Sequence, residues 1–233
     1  MLICAVHGSP RKGNSDYTIE LIKKTMSECG NAEFEDIYLP KDLPVFCKGC
    51  FSCLARGKYA GEICPDKQYT HPILEKLKKA DGIIFTSPSY ALSESGSVKV
   101  FLDHFACTYI NHRPNPEMFD KTAIIVSTAA GAGTKRAVST IKRNLLFWGI
   151  KRIVSVRINL WAGNWSEMED SKRVKAEKQI SKNARKFYKL TENRYKIRAC
   201  IEHRFLRFIF KGLIKKHIET NPDKIYWKEH GWI

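Results

Sequence analysis

Leu2-Ile-Cys-Ala-Val-His-Gly-Ser-Pro-Arg-Lys-Gly-Asn-Ser15 is the stretch on which the reading of the chain turns. Leu2–Val6 has the length and β-branched content of a buried strand. Gly8, Ser9, Pro10 and Gly13 break it into a tight loop, and from Asn14-Ser15 onward the apolar spacing turns helical through Ile19, Ile22 and Met26. The order strand, small-residue loop, helix start suits a phosphate. The first N–H groups of a helix lack partners and carry about half a positive charge. The glycines clear an approach, Ser9 and Ser15 offer hydroxyls, and Arg11 adds a permanent cation. The alternative is an ordinary turn capped by Asn14 or Ser15. Neither the Gly-Lys-Ser ending of a Walker A loop nor the dinucleotide spacing GxGxxG is present.

Two later strand ends repeat the pattern. Ile83–Thr86 reads as a buried strand followed by Ser87-Pro88-Ser89-Tyr90, where an aromatic side chain could lie against a flat ring. Thr122–Ser127 reads as another, followed by Thr128-Ala129-Ala130-Gly131-Ala132-Gly133, whose free amides suit an electron-rich ring edge. In an open parallel sheet, ligands bind beyond the carboxyl ends of the strands, where the strand order reverses. Ser97–Tyr109 reads as a helix. Asp103 and His104 within it are taken as interfacial or salt-linked rather than as acid and base. Trp161 and Trp165 flank Gly163-Asn164, either a pocket cover or a packed corner.

A third feature is Cys47-Lys-Gly-Cys50-Phe-Ser-Cys53, followed by Cys64-Pro65. Three cysteines spaced three apart converge if the backbone curls, and Gly49 helps it to. Thiolate ligation fits an iron–sulfur cluster or a four-thiolate zinc site; free thiols in a substrate-facing loop are the remaining reading.

Gly-Ser-Pro-Arg-Lys-Gly-Asn-Ser resembles the flavin phosphate loop of the flavodoxin-like NAD(P)H-dependent FMN reductases, which include the iron–sulfur flavoproteins. Ser-Pro-Ser-Tyr resembles that family's Pro-x-Tyr turn, and the cysteine run lies where iron–sulfur flavoproteins carry theirs. The fourth cysteine departs from the pattern, being set off by the insertion Leu54–Ile63. The loop from His112 to Met118 and the tail Asn221–Trp232 resemble a clostridial-type subset. The resemblance implies an α/β fold: a flavodoxin-like three-layer sandwich with a five-stranded parallel sheet of order 2-1-3-4-5 over residues 1–190, and a helical extension over 191–233. It implies FMN held by Ser9, Arg11, Gly13, Asn14 and Ser15, with Ser87–Tyr90, Ser127–Gly131 and Gly133 around the ring. It also implies NAD(P)H as the electron source for an acceptor that the sequence does not name, a possible 4Fe-4S cluster on Cys47, Cys50, Cys53 and Cys64, and a homodimer or larger homo-oligomer in which Cys47–Tyr59 reaches across.

The chain of 233 residues suffices for one well-buried α/β domain with additions. No opening segment has a signal-peptide or membrane-spanning pattern, so a cytoplasmic protein is expected. Eight cysteines then read as thiols or ligands rather than disulfides. The net charge of +16 is concentrated after about Lys135, above all in Lys172–Lys216. A solvated surface with a basic tail explains it. A nucleic-acid or anionic-lipid binding module is the competing class, and no RNP-type or zinc-finger pattern supports it. Within Arg194–Ile218, packing on the chain's own core or a second subunit is preferred to lying on a membrane.

Overall fold

The computed structural model describes residues 1–55 and 61–233. The opening apolar run forms β1 (Leu2–His7), and the small-residue loop leads into α1 (Asn14–Cys29). Then come β2 (Glu33–Tyr38), the short α2 (Ser52–Ala55), α3 (Lys67–Lys79), β3 (Gly82–Tyr90) and the two-residue β4 (Ser93–Glu94). α4 (Gly96–His104), β5 (Thr122–Ala129), α5 (Thr134–Phe147), β6 (Arg152–Asn159) and α6 (Asp170–Glu192) complete the layers. α7 (Ile201–Lys215) and α8 (Pro222–Glu229) form the extension.

The long strands are parallel in the order β2-β1-β3-β5-β6, which is the expected 2-1-3-4-5 once the added β4 is set aside. β1, β3 and β5 are buried on successive residues, as strands covered on both faces must be. β6, at an edge, alternates buried Val154, Val156 and Ile158 with exposed Ser155 and Arg157. One face packs Ile37, Phe85, Ile125 and Trp148 against α3, α4 and α5; the other packs Ile3, Ile84, Val156 and Phe187 against α1 and α6. A fully buried Ile or Phe of this kind contributes roughly 1.5–3 kcal/mol.

Ser87–Tyr90 is not a turn but the end of β3, which runs on to pair with β4 at Ser89↔Glu94 and Tyr90↔Ser93. The turn falls at Ala91 and Leu92, both left-handed at φ 48° and 66°. A two-residue hairpin with both centres at positive φ normally uses Asn or Gly, so nothing in Ala-Leu announces it.

The extension packs through His203, Phe210 and Ile214 of α7 and Tyr226 and Trp227 of α8, around Ile110, Phe119 and Phe147. The opposite face of α7 leaves Ile201, Phe205 and Phe208 exposed. Among the described residues, no helix is long and apolar enough to cross a membrane. Of the loop Cys47–Tyr59 expected to reach a partner subunit, residues 56–59 lie outside the described residues.

Candidate functional site

The carboxyl ends of β1, β3 and β5 open onto one cleft of about 190 Å³. Its walls are Ser9, Arg11, Gly13, Asn14, Ser15, Pro88, Ser89, Tyr90, Thr128, Ala129, Ala130 and Gly163. All but Gly163 come from the three loops singled out in the sequence.

Gly8 sets the approach of the first loop. A Cβ there would stand 2.1 Å from the Thr86 carbonyl oxygen and 2.4 Å from Val98 Cγ2, so only glycine lets β1 turn this tightly over β3. Ser95 fastens the same corner: its Oγ donates to the Gly8 carbonyl at 2.6 Å, its N–H donates to Ser87 Oγ at 3.1 Å, and it caps α4 by accepting from Val98 N. Gly13 precedes α1, and no side chain caps that helix, which leaves its first-turn amides for a ligand.

Several side chains read as ligand donors are engaged in holding the loops. Ser9 Oγ donates to the Arg11 carbonyl at 2.8 Å. Asn14 Nδ2 donates to the Gly163 carbonyl at 3.0 Å, and its Oδ1 accepts from Trp165 N at 2.9 Å. Ser15 and Thr128 hydroxyls bond each other at 2.9 Å, stitching α1 to β5. The exposed Arg11 guanidinium and the backbone of the loop remain for an anion.

Ser87, Ser127, Gly131 and Gly133 stand behind the walls. Ser87 is fully buried and its Oγ donates to the Pro88 carbonyl. Gly133, at φ 98°, lets the start of α5 press on Ser89 Oγ and the Leu92 backbone. A Cβ at Gly131 would lie 3.8 Å from the ring of Trp161. Tyr90, Leu92 and Trp161, the last 70% exposed, leave apolar surface open beside the cleft. The hydroxyls of Ser89 and Ser127 are buried without a partner. Orphaned polar groups are costly; Ser89 Oγ lies against the start of α5, 2.1 Å from where a Cβ on Gly133 would stand, and Ser127 is fully enclosed behind the cleft wall.

Beneath the first loop lies a cluster that sequence reading missed. His7, 3% exposed, holds Asp16 through Nδ1 at 2.7 Å and Asp36 through Nε2 at 2.9 Å, and stacks on Tyr38. Lys23 also binds Asp36 at 2.8 Å. Carboxylates only accept, so both ring nitrogens carry protons and the ring is an imidazolium. Burial works against that charge, yet the bonds His7 donates to Asp36 and Asp16 outweigh it and raise the His7 pKa; the Asp36 carboxyl is held down at about 2, against its own burial, by His7 and Lys23.

The cysteines divide. Cys47 and Cys50 are exposed, Cys53 and Cys64 half-buried. Gly49 and Phe51, both at positive φ, curl the run toward the start of α2. The Ser52 hydroxyl and amide lower the Cys50 thiol pKa, and a hydrogen bond from buried Cys107 lowers that of Cys53. Arg113, 1% exposed, ties this loop to the tail: Nη2 donates to the Leu54 carbonyl at 2.7 Å, and Nε pairs with Asp223 at 3.2 Å. That is the place taken by the His112–Met118 segment. Asp103 is salt-linked to Lys99, as expected.

Against known proteins, the model of a family described as NADPH-dependent FMN reductase matches residues 1–165. An iron–sulfur flavoprotein of Archaeoglobus fulgidus is 28% identical over the full length of both chains. One from Clostridioides difficile is 32% identical over 63% of this chain and 62% of its own. The solved NAD(P)H:quinone oxidoreductase of Methanothermobacter marburgensis superposes with a TM-score of 0.62 at 17% identity, over 79% of this chain and 98% of that one, which shows a shared fold. The family match spans all three cleft loops and the cysteine run, and the chain belongs to the NADPH-dependent FMN reductase family.

Proposed function

We propose that the cleft at the ends of β1, β3 and β5 is the FMN site of this NAD(P)H-dependent oxidoreductase, and that its three loops divide the cofactor between them. The uncapped start of α1, the loop backbone from Ser9 to Gly13 and the Arg11 guanidinium take the phosphate. Pro88–Tyr90 and Thr128–Ala130 border the ring, with Tyr90 and Trp161 offering aromatic faces. Bound FMN supplies the hydride-accepting and hydride-donating centre between the nicotinamide and the acceptor. The chain orients that ring, shields one side of it with the strand ends, and offers backbone amides from 128–131 to charge gathering on its edge. No side chain is needed as a proton donor, consistent with Asp103 and His104 lying in other contacts.

The observation that carries this reading is the cleft itself, in which three loops far apart in the chain meet at the carboxyl ends of β1, β3 and β5 beside the uncapped start of α1. The test is an absorption spectrum of protein purified without oxygen, followed by anaerobic titration with NADH and NADPH. Flavin bands that bleach with one equivalent of nicotinamide support it. A colourless protein that fails to take up added FMN refutes it.

A finer reading adds a 4Fe-4S cluster on the curled Cys47–Cys53 run. It is supported by the name of the Archaeoglobus relative and by the lowered pKa values of Cys50 and Cys53, which favour the thiolates a cluster needs. Cys47, Cys50 and Cys53 would hold it, with a fourth donor from outside the run, and it would pass single electrons. An iron-dependent shoulder in the same spectrum that is lost in Cys50→Ser tests it.

A further inference from the structure

Cys64, the cysteine expected to complete that cluster, stands close enough to Cys53 and Cys107 to feel their charge, and has two further neighbours. Its Sγ, a carboxylate oxygen of Asp66 and a ring nitrogen of His104 all lie within 4.8 Å of one another. Among the described residues this is the one such group of His, Cys, Asp and Glu ligand atoms.

His104 carries the second observation. It is 4% exposed, and its Nε2 lies 3.1 Å from the Val45 carbonyl. A carbonyl only accepts, so Nε2 bears the proton and Nδ1 presents a lone pair. That Nδ1 is buried and has no partner. A histidine whose far nitrogen is tethered to a backbone carbonyl, with its near nitrogen bare, is the arrangement metal-binding histidines adopt. Cys64, His104 and Cys107 also line a cleft of about 300 Å³, which leaves room for a solvent ligand.

We propose that Cys64, Asp66 and His104 form a mononuclear zinc site that takes no ligand from the neighbouring Cys47–Cys53 run, with its fourth position open to this cleft. The donor set selects the ion. One thiolate, one imidazole and one carboxylate suit a borderline-soft divalent cation, whereas magnesium and calcium take oxygen ligands. Donors around a tetrahedral zinc stand roughly 3.4–3.8 Å apart, given bonds of about 2.0–2.3 Å. The group therefore closes by no more than about 1.4 Å, a movement open to the half-exposed Cys64 and Asp66 around a buried His104. Cys64 is then not a ligand of an iron–sulfur cluster.

The test uses the full chain, purified without oxygen, loaded with zinc chloride, dialysed against metal-free buffer and assayed for zinc and iron. One zinc per chain is expected, persisting in Cys47→Ser and Cys50→Ser. It should be held at least ~100-fold more weakly in His104→Gln and Asp66→Asn. Substitution with cobalt should give a thiolate charge-transfer band that disappears in Cys64→Ser. Because His104 is buried, flavin retention reports whether each variant has folded, and Asp66→Asn at a half-exposed position repeats the test without disturbing the core. Retained flavin with no stoichiometric zinc overturns the proposal while leaving the flavin site standing. So does zinc that survives both Asp66→Asn and His104→Gln, or iron that is lost in Cys64→Ser as it is in Cys50→Ser.

Discussion

One methyl group added at Gly8 and one at Gly13 should have opposite consequences, though the two glycines share a loop. At Gly8 the new Cβ falls 2.1 Å from the Thr86 carbonyl, close to an ångström inside the 3.0 Å below which real Cβ contacts essentially vanish. The obstructing atom is backbone in a central strand, so it cannot swing aside. The loop must lift, or β1 and β3 must part where His7 pairs with Thr86. Overpacking of this kind costs ~1–3 kcal/mol, and losing a ladder hydrogen bond adds about 1 kcal/mol. A loss of roughly 2–4 kcal/mol lowers the Tm of a chain this size by about 5–15 °C. At Gly13 the nearest atom to a new Cβ is Arg11 Nε at 4.0 Å, and the backbone is extended. Gly13 is the N-cap of α1, where Ala is a poorer residue than Gly, so Gly13→Ala should cost the apoprotein no more than about 1 kcal/mol. Yet Gly13 lines the cleft, so the same methyl group stands where the phosphate is to bind, and FMN affinity should fall. Thermal unfolding of the apoproteins, with FMN titrations followed by flavin fluorescence, separates the two effects. A Gly8→Ala protein with the parent Tm, or a Gly13→Ala protein that binds FMN as tightly as the parent, would refute the geometry argued for this loop.

Three further outcomes are expected. Arg11→Ala should weaken FMN binding about 10–100-fold, the worth of one charge-assisted contact, with unchanged apoprotein Tm; equal affinities would remove Arg11 from the site. The raised pKa of His7 means that the folded state holds its proton more tightly, so its contribution is full below pH 6.5 and fades as pH rises through the folded value. His7→Asn should therefore cost roughly 2–3 kcal/mol near pH 6, and less at pH 9 by urea unfolding; a pH-independent loss would contradict the imidazolium. His203 behaves oppositely, its pKa pushed down to about 4 by burial and then by Arg207 and Lys151. The unfolded chain takes up the proton first as pH falls below 6.5, so His203 should make the protein about 2 kcal/mol less stable at pH 5 than at pH 7. His203→Leu should abolish that share of the slope, and an unaltered slope would reject it.

What the sequence made legible was local. Glycine and serine punctuate the ends of β1 and β5 whatever surrounds them, and strict apolar runs marked the central strands, so the strands and the three loops could be read from adjacent residues, while the sheet order came from the resemblance of those loops to a family. Contacts between distant segments could not. Asn14 and Ser15 have the composition of phosphate ligands, but their side chains are engaged by Gly163, Trp165 and Thr128, more than a hundred residues away. Ser95 looks like any helix cap until its bond to Gly8 is seen. His7 acquires its charge from Asp36 on a neighbouring strand. The hairpin at Ala91-Leu92 was hidden for a different reason: its residues contradict the turn chemistry they adopt. Gly163 could have been found, since the two tryptophans around it already marked a loop at a strand's carboxyl end. Arg113 gave no local sign of holding both the cysteine loop and the tail.

The central claim is that this rim of the sheet grips a flavin by its phosphate at the start of α1. It is tested most directly by comparing the affinities of the apoprotein for FMN and for riboflavin, which differ in that phosphate alone. Losing two or more charge-assisted hydrogen bonds costs at least about 3 kcal/mol, so riboflavin should bind at least ~100-fold more weakly than FMN. Equal affinities would contradict the account.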